Sequence, residues 1–160
     1  MTDSRTAWLL CLLTVAGLLI GVTVLSAPSL PALFAAEVVK LGSAWAMWRI
    51  APLARPAWLL QVAAALMALA GLIGLAAIYG ESGQLGQAVT PLALVALFLT
   101  GLWGLQLARA RDLAYAAALA IAVSVSAVAT WFIPPAGLLA ALIGLAWWAV
   151  VARKLAGPAK

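Results

Sequence analysis

The chain has no histidine and only one cysteine, Cys11, among its 160 residues. The first absence excludes a histidine-ligated haem, a histidine-bound zinc and a histidine general base within this chain. The second excludes an intramolecular disulfide and any Cys-x-x-Cys centre. Acidic side chains are almost as scarce: Asp3, Glu37, Glu81 and Asp112 are the whole set. Only Glu37 lies inside an apolar run. There is no nucleophile–base pair, no Gly-x-Ser-x-Gly elbow, no phosphate-cradling glycine loop and no metal-ligand cluster. The expectation is a protein that is not an enzyme and that has no metal or cofactor site.

Charge of either sign is sparse, at 8% of residues, against 68% hydrophobic. A soluble domain carries about a quarter charged residues, so most of this surface must face lipid. The apolar runs extend from Ala7 to Ala152 and leave no room for a separate soluble unit, so residues 1–160 read as one transmembrane domain. The net charge of +5 does not point to nucleic acid. The basic residues stand at helix ends and in short connections, with no stripe interleaved with aromatics, and no nucleic-acid partner is expected.

A membrane helix needs about 20 apolar residues to cross about 30 Å of hydrocarbon. Five runs satisfy this readily: 7–26, 57–79, 91–108, 113–133 and 136–152. The separators fit, because Gly80–Thr90 is Gly-rich and polar, Arg109–Asp112 is a charged turn and Pro134–Pro135 breaks a helix. Pro91 suits the first turn of its helix. The first run follows Arg5 and resembles a signal peptide, but it exceeds the usual core of about 7–15 residues. It also ends in a poor cleavage match, "VLSAPS", and is expected to be a retained helix.

The stretch "LPALFAAEVVKLGSAWAMWR", Leu30–Arg49, decides the topology because it places Glu37 and Lys40 in an apolar setting. Among the later connections, 49–56, 109–112 and the tail are basic, while 80–90 and 134–135 are not. The positive-inside rule then puts the basic connections and the C-terminus in the cytoplasm. If 32–49 crosses the membrane, Arg5 is cytoplasmic too. If it lies on the surface, there are five crossings and Arg5 faces outward. A surface helix should carry a broad Lys/Arg face, and this one has a single lysine. The expected fold is an all-α integral membrane protein, a compact six-helix transmembrane bundle with both termini cytoplasmic. Five helices with one surface helix is the alternative. The loop-poor chain suggests a bacterial cytoplasmic (inner) membrane.

Trp8, Trp45, Trp48, Trp58, Trp147 and Trp148 fall near the expected cytoplasmic ends, and Tyr79 and Trp131 near the others. That is the pattern of an interfacial aromatic belt. In 113–133, the bulky stripe Ile121, Val125, Val128 and Phe132 runs beside a small one, Ala116, Ala120, Ser124 and Ala127. Small faces let membrane helices approach closely. Gly17 and Gly21 form a Gly-x-x-x-Gly in the first helix, and Gly137, Ala141 and Gly144 continue the theme in the last.

Glu37 and Lys40 share one helical face. Counted from Pro31, they fall toward the start of their helix. They are a candidate ion or substrate site, or else a structural charged pair. Two function classes follow. The first is a non-catalytic accessory or structural subunit of a membrane assembly, meeting copies of itself or other membrane subunits through the glycine faces. The second is a small transporter or channel component that uses Glu37 and Lys40. Beyond these, the expected partner is the lipid bilayer.

Overall fold

A computed structural model describes residues 3–80, 83–133 and 136–156, with the side chains of all but 83–85 and 114. It consists of α1 (Asp3–Ser26), α2 (Leu30–Ile50), α3 (Trp58–Gly80), α4 (Gly83–Ala110), α5 (Ala114–Phe132) and α6 (Ala136–Ala156). A short 3-10 turn, Ala51–Leu53, follows α2, and there are no strands among the described residues. All six helices are long and apolar enough to span a membrane. Ala- and Leu-rich segments are strong helix formers, and a helix satisfies its own backbone hydrogen bonds where no water is available.

Two boundaries depart from expectation. Helix α4 begins at Gly83, so Pro91 lies inside it and not in its first turn. A proline removes one backbone donor, and the polar 83–90 segment still continues the helix on its far side. Glu81 and the Pro134–Pro135 breaker lie outside the described residues. At its other end α4 closes as a Schellman turn. Leu113 N–H donates to Ala108 O at 2.8 Å and Asp112 N–H to Arg109 O at 3.3 Å. Asp112 takes the left-handed position at φ 52°, where glycine is usual and a short polar side chain is tolerated.

Each helix packs against its neighbours in sequence, and α6 returns to α1, so the six form a closed ring. The Ser4 hydroxyl donates to Ala152 O at 3.2 Å, tying the start of α1 to the end of α6. Alternation of helix direction gathers Arg5, Arg49, Arg55, Arg109, Arg111, Arg153 and Lys154 at one end of the ring. That basic end also holds most of the core. The buried residues of α1 are Thr6, Ala7, Leu10 and Cys11, with none further along. In α2 they cluster at Ala44–Ile50, apart from Glu37. In α6 all but Ala140 fall between Trp147 and Ala152.

Helix α5 shows how side-chain size selects the face. Ala116, Ala120, Ser124 and Ala127 are buried, while Ile121, Val125, Val128 and Phe132 point out of the ring and are about half exposed or more. Bulky apolar side chains gain little by leaving lipid for protein, so the small stripe is the one that turns inward. Ser124 Oγ lies against Gly101 of α4 and donates to Phe98 O at 3.2 Å and to Ala120 O at 3.3 Å. Thr130 bonds back to Ser126 O at 2.7 Å within its own helix.

Candidate functional site

Helix α2 carries an ion pair within the apolar part of the ring. Lys40 Nζ donates to both Glu37 oxygens, at 2.6 and 2.7 Å. The spacing of three residues makes this possible, since positions i and i+3 stand over one another on a helix. Lys40 lies midway between the ends of α2, about 15 Å from each by the helical rise. It is therefore at the centre of its helix, whereas the count from Pro31 placed the pair toward one end. Glu37 stands one turn nearer the Leu30 end.

Glu37 is the more buried partner, with 10% of its side chain exposed against 23% for Lys40. A notch in α3 accounts for this. Gly74 presents bare backbone to the Glu37 carboxylate, and any Cβ there would overlap it. One turn away, a Cβ at Gly71 would stand 3.2 Å from Glu37 O and 3.1 Å from the Leu41 side chain. The two α3 glycines thus let α2 approach closely at the height of the pair. Their three-residue spacing was the sequence signal for this notch, although the spacing alone does not say which helix fills it.

Lys40 faces the interior of the ring, where a cavity of about 350 Å³ is lined by residues of all six helices. Its wall is mainly apolar. The polar contributions come from Lys40, Ser43, Thr14 and Thr100. The Thr14 and Thr100 hydroxyls spend their protons on carbonyls of their own helices, both at 2.7 Å, Thr14 on Leu10 O and Thr100 on Ala96 O. The cavity runs from Leu25 and Leu138, near the end remote from the basic residues, to Trp147 and Trp148.

Those tryptophans are buried, at 1% and 6% exposure, and are not part of an aromatic belt. Trp148 stacks obliquely on Trp147 and on Trp103, with centroids 6.3 and 6.4 Å apart. Trp103 Nε1 donates to Ala51 O at 3.1 Å, anchoring the group to the turn after α2. Gly104 makes the space, since a Cβ there would stand 2.8 Å from the Trp147 ring. Trp147 and Trp148 line the cavity at its basic end, and Trp103 packs against Trp148. By contrast Trp8, Trp45, Trp48, Trp58, Trp131 and Tyr79 are exposed, as interfacial side chains are. Trp147 Nε1 is buried and has no hydrogen-bond partner among the described residues. Such an orphan costs about 1–3 kcal/mol and calls for an explanation.

The glycine faces divide in two. Gly17, Gly21, Gly137, Ala141 and Gly144 all line the cavity. A Cβ at Gly17 would touch only Val39, at 3.5 Å, and one at Gly21 or Gly144 would meet nothing within 4 Å. Gly17, Gly21 and Gly144 keep the cavity open. Close helix approach occurs at Gly71, Gly74, Gly101 and Gly104, and at Gly137, where a Cβ would stand 3.2 Å from Thr130 Cγ2. Cys11 is buried among the core residues of α1, and no cluster of metal-ligating side chains occurs among the described residues. Compared with family models, curated proteins and solved structures, the chain matches none.

Proposed function

We propose that the protein is a small integral membrane carrier whose binding site is the central cavity, with Lys40 and Glu37 as its polar element. The carrying observation is that one cavity touches all six helices and exposes Lys40 at mid-helix. A charged residue at the centre of a membrane helix costs about 3 kcal/mol even on the mildest scale, and such residues mark substrate or ion pathways. The other expected class, an accessory subunit, rested on outward-facing glycine stripes. Gly21 and Gly144 border the cavity, so the glycines favour a small guest over a partner helix. The Glu37 carboxylate beside the wall is occupied by Lys40.

In this reading the six helices cross a bacterial cytoplasmic membrane with both termini inside. The alternation of basic and non-basic connections supports that orientation. In that orientation Trp147 and Trp148 lie at the cytoplasmic end of the cavity and Leu25 and Leu138 at the outer one, and access is from outside. Cysteine labelling of single-cysteine variants checks the topology. In a Cys11→Ala background, Ser29→Cys and Gly83→Cys should label from outside, and Pro52→Cys, Arg111→Cys and Lys160→Cys from inside. Labelling of Ser29→Cys from the cytoplasmic side, with Gly83→Cys still outside, would establish five crossings.

The cavity is tested in the same background. Ser43→Cys should react with a membrane-impermeant maleimide added outside and not with one added inside. Adding Gly144→Leu should leave expression and melting temperature near those of the parent while shielding Ser43→Cys. A Ser43→Cys thiol inert from both sides would remove the basis for a carrier.

A further inference from the structure

The lining of the cavity also selects the kind of guest it takes. This step rests on the carrier reading above. With Lys40 and Glu37 paired, the site enters any binding event with no net charge. An anionic guest would find the ammonium already holding both oxygens of Glu37, and it would place a second negative charge beside that carboxylate. A cationic guest would meet Lys40 first, because Glu37 lies behind it against Gly74. Either ion would leave one uncompensated charge in an apolar enclosure, which is the most unfavourable outcome burial allows.

An uncharged guest avoids that penalty and can still be held. An ammonium carries three N–H donors, and two bonds to Glu37 leave one over. Trp147 lines the cavity with its ring, but its indole N–H is buried and offers nothing to a guest. The hydroxyl protons of Thr14 and Thr100 are already spent. The threonine oxygens remain only as acceptors and Ser43 can serve either way, so the spare Lys40 N–H is the one charged donor in a wall otherwise made of Leu, Val, Met, Ala, Gly and Trp. We infer that the cavity binds an uncharged, largely apolar small molecule that carries a carbonyl or similar oxygen acceptor, with Lys40 donating to that oxygen.

Three probes with one frame and different charge test this: benzamide, benzoate and benzylammonium, near neutral pH. Each is titrated against the full chain in phosphatidylcholine nanodiscs, and melting is followed by tryptophan fluorescence. A guest that binds only the folded state raises the melting temperature in proportion to its affinity. Benzamide should stabilise the protein saturably and more than either ion. In the Glu37→Gln, Lys40→Met double variant, which leaves no buried charge behind, its affinity should fall about tenfold, as expected for losing a hydrogen bond to a charged donor. Gly144→Leu should abolish the effect of all three probes. Stronger stabilisation by benzoate or benzylammonium would overturn the uncharged class while leaving the cavity as a binding site. Undiminished benzamide affinity in the double variant would remove Lys40 as its anchor. No response to any of the three would overturn the carrier reading itself.

Discussion

Replacing Lys40 alone with Met should lower the stability of the protein in nanodiscs by about 3–5 kcal/mol, the usual cost of stranding one member of a buried ion pair. Replacing both residues, as Glu37→Gln with Lys40→Met, should restore most of that loss. Glu37 alone to Gln should fall between the two. The order follows from burial. Glu37 is nine-tenths covered and pressed against Gly74, and loss of Lys40 leaves its carboxylate with no recorded donor. Lys40 is the more open of the pair and faces the cavity, where water can reach it. Thermal melts of the four proteins form a double-mutant cycle, which isolates the coupling between the two side chains. Strictly additive losses would mean that the pair is not coupled and that each charge is held by something else.

A second large contrast is expected between two glycines. Gly101→Ala should destabilise the protein, whereas Gly144→Ala should leave its stability unchanged or raise it by up to about 1 kcal/mol through helix propensity. At Gly101 the new methyl group would collide with Ser124 Oγ and lie 2.7 Å from Ala120 O. The second of these is backbone and cannot move aside without shifting α5. Overpacking of that kind costs about 1–3 kcal/mol, which exceeds the propensity gain, and the Ser124–Phe98 bond across the same contact would be lost with it. At Gly144 nothing stands within 4 Å. Equal effects at the two positions would show that α4 and α5 are not in close contact at Gly101.

How much of this could be read from the chain itself varies from feature to feature. The helices were legible because membrane crossing demands long apolar runs, and this composition permits little else. The start of α4 was not, because Gly80–Thr90 has the composition of a loop and still continues as helix from Gly83. The Glu37–Lys40 pair followed from its spacing. Its depth was legible too, since Lys40 is the midpoint of Pro31–Arg49 as it is of Leu30–Ile50, and only a count from one end placed the pair off-centre. The small stripe of α5 was legible as a packing face. The cavity was not, because a glycine in a helical pattern looks the same whether a neighbour presses against it, as at Gly74, or open space lies before it, as at Gly21. Trp147 and Trp148 were misplaced for a related reason. Position near a helix end suggests the interface, and only the gap at Gly104 reveals that Trp147 turns inward.

The concentration of buried residues at one end of the ring also governs how the ring can move. Amide hydrogens in 6–11, 44–50, 59–64 and 147–152 should be the slowest to exchange with solvent, because opening them requires breaking the common core. Those of residues 12–26 should exchange sooner, since nothing in that stretch is buried and Thr14, Gly17 and Gly21 border the cavity, where water can enter. No buried residue fixes the far half of α1 against α6, so any movement there would change the width of the cavity wall that Gly17 and Gly21 share with Gly137, Ala141 and Gly144.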